Sequence, residues 1–101
     1  ASVAAAKGAV EGLGRSLAAE WAPKVRVNVI APSITDTPLA NRFLNNDAKT
    51  EKAALRHPLK RIGTTQDVAQ LAAFLLSDKS SWMTGQVLGL DGGMSSLNVN
   101  G

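Results

Sequence analysis

No tyrosine and no cysteine occur among the 101 residues, and the aromatic residues are two tryptophans and two phenylalanines. Without tyrosine there is no phenol to move a proton. Without cysteine there are no disulfides, thiolate metal sites or sulfur nucleophiles, a usage that fits a reducing compartment. His57 is the only histidine, and no carboxylate pair or histidine cluster stands at metal-ligand spacing, so no metal site is expected. Long apolar runs are lacking too. The longest, Leu71 to Leu76, falls far short of the roughly 20 residues of a membrane span. The start shows neither a basic leader nor a signal-type apolar stretch, so the expected location is cytoplasmic, with no membrane partner.

What is present is ordinary for a globular chain: 45% hydrophobic and 19% charged residues. The length allows one small domain. The net charge of +3 comes from basic residues spread along the chain, not from a run. Scattered charge with few stacking aromatics argues against a nucleic-acid partner. A mild attraction for an anionic phosphate ligand remains compatible with it.

Residues 2–22 read as a helix, with Val3, Val10, Leu13, Leu17 and Trp21 on one stripe, Ser2 as a cap and Pro23 as the stop. Gly8, Gly12 and Gly14 weaken it but allow a close neighbour. Residues 25–31 read as a buried parallel strand in which Asn28 ties to a neighbouring backbone. Residues 32–38 form a loop, in which Asp36 and Thr37 are suited to cap the next helix. Two short polar helices are expected over about 38–56. Thr64 and Asp67 open a further helix with Val68, Leu71, Ala72, Leu75 and Leu76 as its stripe, ending near Asp78. A short strand over 86–91 and a Gly92-Gly93 turn complete the chain. Helices separating strands indicate an α/β layer fold, and two parallel strands need flanking material. His57, alone in a loop before Pro58, is expected at the surface.

Four patterns then line up in order: the alanine-rich helix carrying Lys7; Arg26-Val27-Asn28-Val29-Ile30-Ala31-Pro32; Pro58-Leu59-Lys60-Arg61-Ile62-Gly63-Thr64-Thr65-Gln66-Asp67-Val68-Ala69; and Thr84-Gly85-Gln86-Val87-Leu88-Gly89-Leu90-Asp91-Gly92-Gly93. Together they resemble the short-chain dehydrogenase/reductase family. The resemblance implies the C-terminal part of a Rossmann-type doubly wound parallel sheet. Residues 1–101 would be one part of a single NAD(P)-binding domain, with a lid region at about 38–60. The family's glycine-rich phosphate turn has no counterpart here.

The resemblance also implies site residues. The family reads Tyr-x-x-x-Lys where this chain has Val3 and Lys7, so Lys7 is the catalytic candidate and the phenol position holds Val3. Lys7 is also a candidate for the nicotinamide ribose. Pro32, Thr35 and Thr37 match the loop that contacts NAD or NADP, with Ser33 in place of the family's glycine, where it would crowd a backbone needing unusual dihedrals. Two function classes are implied. The first is an NAD(P)-dependent oxidoreductase transferring hydride between a small carbonyl or alcohol and the cofactor. The second is a non-catalytic family-derived protein that binds or assembles, as a homo-oligomer or with a missing N-terminal half.

Overall fold

The computed structural model describes residues 2–42 and 44–98, the side chain of Ser2 excepted, so the expected Ser2 cap lies outside the described residues. The elements are α1 (Ser2–Trp21), β1 (Val29–Pro32), β2 (Thr35–Asp36), α2 (Asp47–Leu55), β3 (Gly63–Thr64), α3 (Thr65–Leu75) and β4 (Val87–Leu90), with 3-10 turns at Ala40–Arg42 and Asp78–Ser80. β1 pairs with β4, and β2 with β3, in two two-stranded sheets. The β2–β3 pair is parallel, Thr35 opposite Gly63 and Asp36 opposite Thr64. Between β1 and β4, the N–H of Val29 donates to Gln86 at 2.8 Å and that of Ser33 to Leu90 at 3.2 Å. The partners advance together, which is the parallel pattern.

The chain groups into two compact units. One holds residues up to Ile30 with Ala72–Leu88, the other Ala31–Leu71 with residues from Gly89 onward.

In the first unit, α1 does not bury the stripe expected of it. Val3 is 80% exposed, and Val10, Leu13 and Trp21 are exposed as well. The buried face is the narrow one of Gly14 and Ala18. A methyl group on Gly14 would collide with the side chain of Val29, whereas Gly8 and Gly12 face open space. Only the small-residue face lets a strand lie against the helix, and of the larger apolar stripe Leu17 alone is half-buried.

The strand expected over 25–31 is shorter, and side chains are the reason. Val27 N–H donates to Thr84 Oγ1 at 3.1 Å, and Asn28 donates to the Met83 carbonyl at 3.2 Å and accepts from Gln86 N–H at 3.1 Å. Asn28 therefore ties the segment to a neighbouring backbone, as its position predicts. Arg26, read from sequence as one of several scattered charges, is a structural clamp. Its guanidinium donates to the carbonyls of Leu75, Ser77, Ser80 and Met83 and to Ser80 Oγ, at 3.0 to 3.3 Å. It thereby satisfies carbonyls that the end of α3 leaves orphaned. The helix stops at Leu75 rather than near Asp78, and Leu76 is exposed.

In the second unit, α2 starts at an Asn46 cap whose side chain accepts from Lys49 N–H at 2.8 Å. The start of α3 is a reciprocal cap: Asp67 N–H donates to Thr64 Oγ1 at 3.1 Å, and Thr64 N–H donates to Asp67 at 2.8 Å. The loop expected over 32–38 contains β2. A two-residue strand carries no periodic signal, and its pairing with Gly63–Thr64 is a tertiary event. Ala18 and Ala53, each 4% exposed, are the buried apolar side chains among the described residues.

Candidate functional site

The expected site residues fall in both units. Val3 and Lys7 lie four residues apart on one face of α1, both exposed. Pro32, Thr35 and Thr37 share the stretch that leaves the carboxyl end of β1. Pro32 is exposed, and the two threonines are half-buried.

Thr35 Oγ1 donates to the Ser33 carbonyl at 3.1 Å, leaving its lone pairs open. Thr37 Oγ1 accepts the Ala40 N–H at 3.1 Å, capping the 3-10 turn and keeping its hydroxyl proton for another acceptor. Of the two capping candidates, Thr37 makes this bond.

Ser33 does not strain the loop. Among the described non-glycine residues, Lys60 alone has a positive φ, 61°. The side chain of Ser33 instead turns to His57: its hydroxyl lies 2.9 Å from Nε2. The other ring nitrogen, Nδ1, is 2.8 Å from the carbonyl of Ala53. A carbonyl only accepts, so Nδ1 carries a proton. In the neutral ring Nε2 then accepts from Ser33.

His57 is 1% exposed, against the surface position expected of it. The preceding helix explains the difference. Ala53 and Ala54, on the last turn of α2, accept the N–H groups of Arg56 and His57. That turn folds the ring back beneath its own helix end. A backbone with Gly92 at φ 60° closes over it: a Cβ on Gly92 would stand 3.5 Å from that of His57. No sequence period marks this arrangement. The one available signal is that a polar Ser and a lone His each stand just past the end of an element, Ser33 after β1 and His57 after α2.

Ser33, Thr35, His57, Arg61, Asp67 and Asp91 line a pocket of about 90 Å³. Ligand sites span roughly 300–1,000 Å³, so this pocket offers contacts rather than a complete site. Charges beside it are fixed. The Arg61 guanidinium, then the N–H and hydroxyl of Thr64, hold the Asp67 carboxyl well below the usual carboxylate range. Asp91 is also lowered, chiefly by the Ser95 hydroxyl, with smaller help from the N–H groups of Gly93 and Ser95 and from nearby His57. Among the described residues no group of histidines and carboxylates is placed to hold a metal ion, and no helix is long and apolar enough to cross a membrane.

A parallel αβ arrangement with a polar loop at the carboxyl end of a strand is the setting of nucleotide-binding sheets. Residues 1–95 match the family described as enoyl-(acyl carrier protein) reductase. The chain belongs to the short-chain dehydrogenase/reductase family. It is 42% identical over 102 residues to the inactive 2-(S)-hydroxypropyl-CoM dehydrogenase 2 of Xanthobacter autotrophicus, covering 96% of this chain and 44% of that protein. A C-terminal deletion mutant of Thermoplasma acidophilum aldohexose dehydrogenase superposes with a TM-score of 0.85 at 36% identity, over 91% of this chain and 44% of that one. A gluconate 5-dehydrogenase from Burkholderia cenocepacia, solved with NADP and tartrate, gives 0.84 at 33% identity, over 94% and 38%. The chain thus spans about two fifths of the length of these relatives.

Proposed function

We propose that this chain is the C-terminal part of a single NAD(P)-binding domain of an oxidoreductase, with residues 38–60 as a lid over a small carbonyl or alcohol substrate. The carrying observation is the β1 exit loop. Thr35 keeps lone pairs and Thr37 keeps a hydroxyl proton free on the stretch that follows Pro32. That is a donor and acceptor set suited to a carboxamide or a ribose, so the residues present fit a nicotinamide cofactor. Lys7, an exposed ammonium one turn from Val3, suits a ribose hydroxyl. The cofactor, NAD or NADP, supplies hydride transfer when bound. The chain's own residues orient it and shield its reacting face.

The proton has no such carrier. The helix position one turn before Lys7 holds Val3, and the chain has no tyrosine. This favours a second reading, a non-catalytic family member that binds cofactor or assembles as a homo-oligomer or with an N-terminal half. One of its relatives is itself named inactive. A cytoplasmic location is part of the proposal, and the cysteine-free composition fits it.

Trp21 and Trp82 are exposed reporters, Trp82 at 99%. Titrating NADH and NADPH while following their emission separates the outcomes. Saturable quenching followed by turnover of carbonyl substrates supports the oxidoreductase. Saturable quenching without turnover supports the binding protein. Absence of saturable quenching sinks the assignment of a cofactor contact to this loop.

A further inference from the structure

We infer that Ser33 and His57 form a nucleophile and base pair that takes the acyl group from a short-chain carboxylic ester. This activity goes beyond the oxidoreductase reading and stands apart from it, because no cofactor enters the step.

Ser33 Oγ lies 2.9 Å from Nε2 of His57, and Nδ1 lies 2.8 Å from the Ala53 carbonyl. A hydroxyl within hydrogen-bond reach of a base, with the base held by a third group, is the general signature of an activated nucleophile. The carbonyl keeps a proton on Nδ1 and leaves Nε2 free to take the proton of the hydroxyl. Met94 Sδ, 3.5 Å from Ser33 Oγ, is a second acceptor for that hydroxyl. A thioether accepts only weakly and is no base in water, so the imidazole alone can remove the proton.

The surroundings suit the two roles. His57 is 1% exposed, so water does not compete for Nε2, while Ser33 is half-buried and lines the 90 Å³ pocket beside the ring. Ser33 stands just past the carboxyl end of β1. Its N–H donates to the Leu90 carbonyl at 3.2 Å, and its own carbonyl accepts the Thr35 hydroxyl at 3.1 Å. The backbone is thus held on both sides of the reactive oxygen. Arg61 lines the same pocket. Three of its guanidinium N–H bonds go to Ile62 and Asp67, which leaves two for an oxygen that turns negative. The pocket is far smaller than a drug-sized site and admits an acyl group of only a few carbons. The pattern this chain resembles has glycine at position 33, so the hydroxyl belongs to this chain and not to that pattern.

The step balances with water as its only co-reactant. Ser33 Oγ bonds to the ester carbonyl carbon as its proton passes to Nε2. The tetrahedral oxyanion collapses, the bond from carbon to the leaving oxygen breaks, and Nε2 gives the proton to that oxygen. An alcohol leaves and an acyl-Ser33 ester remains. Water then adds to that ester, again losing its proton to Nε2, and Ser33 Oγ departs with the proton as the carboxylic acid is released.

p-Nitrophenyl acetate tests the pair on the full chain, read by nitrophenolate release and by peptide mass spectrometry after an acid quench. The expected result is release that depends on Ser33, with an acetyl group trapped on the peptide that carries it. Ser33→Ala should abolish both. His57→Gln should slow acylation roughly hundredfold, the lower end of what a general base contributes. p-Nitrophenyl octanoate should leave Ser33 unmodified. Acetyl groups on lysines alone, release that survives Ser33→Ala, or an unchanged rate in His57→Gln would overturn the pair. Equal labelling by the octanoate would overturn the short-chain assignment. Should His57→Gln fail to fold, the parent still decides. His57 is the only histidine, so its nitrogen-15 signals are read without overlap. They should show the proton on Nδ1 and a shift of Nε2 in Ser33→Ala, and a proton found on Nε2 would overturn the base.

Discussion

Arg61 holds both carboxylate oxygens of Asp67, at 2.7 and 3.1 Å, while Asp67 also accepts from the N–H and hydroxyl of Thr64. The charge pair and the start of α3 are thus one unit. Because the Asp67 carboxyl is held well below its ordinary range, its contribution to stability is fully present above the unfolded carboxylate value of about 4. That contribution is lost as pH falls through the folded value. Circular dichroism between pH 6 and pH 2 should show the thermal midpoint falling in acid. Asp67→Asn should lower the midpoint at pH 6 and flatten the acid slope. An acid slope identical in the variant would assign the loss to other carboxylates, Asp91 first.

Arg26 serves four carbonyls and one hydroxyl from a partly buried position. Lysine has neither the planar fork nor enough donors to replace it. Arg26→Lys should cost about 2 kcal/mol, on the scale of hydrogen bonds to a charged group. Urea unfolding measures it, and a variant within experimental error of the parent would show that the clamp adds geometry rather than stability.

The glycines of α1 separate into two kinds. Gly12 faces open space, so Gly12→Ala should stabilise by about 1 kcal/mol through helix propensity alone. Gly14→Ala drives a methyl into Val29, and overpacking costs of about 1–3 kcal/mol outweigh the propensity gain. Opposite signs in the two thermal midpoints are expected. Equal gains would mean that β1 does not lie against α1 in solution.

Val3→Tyr places a phenol on an exposed helix position, one turn from Lys7. It would be the only tyrosine in the chain, so ultraviolet titration reads it alone. The ammonium favours the ionised phenol, and the midpoint should fall below the ordinary value of about 10. Val3→Tyr together with Lys7→Met should return it toward that value. Identical midpoints in the two variants would show that Lys7 does not act on the phenol position.

Lys60 adopts φ 61°, a left-handed conformation that costs a side-chain-bearing residue about 1 kcal/mol. Lys60→Gly should raise stability by a comparable amount, less what the bond from Nζ to the Leu55 carbonyl returns. A lower thermal midpoint would show that this bond outweighs the backbone strain.

Local chemistry made much of this chain readable in one dimension. The 3.6-residue repeat and Pro23 bounded α1 to within a residue, and the spacing of Thr64 and Asp67 marked a helix start whose two partners lie three residues apart. Asn28 was legible because a lone amide in an apolar segment must find backbone partners wherever it lands. What tertiary structure alone decided are the relations between residues tens of positions apart. Arg26 reaches carbonyls 49 to 57 residues away, and β2 exists only because Gly63 and Thr64 lie alongside it. His57 meets Ser33 across 24 residues. Periodicity reports which face of an element is apolar, not which neighbour arrives there. For that reason the broad stripe of α1 misled, while the two small residues Gly14 and Ala18 marked the face that is buried.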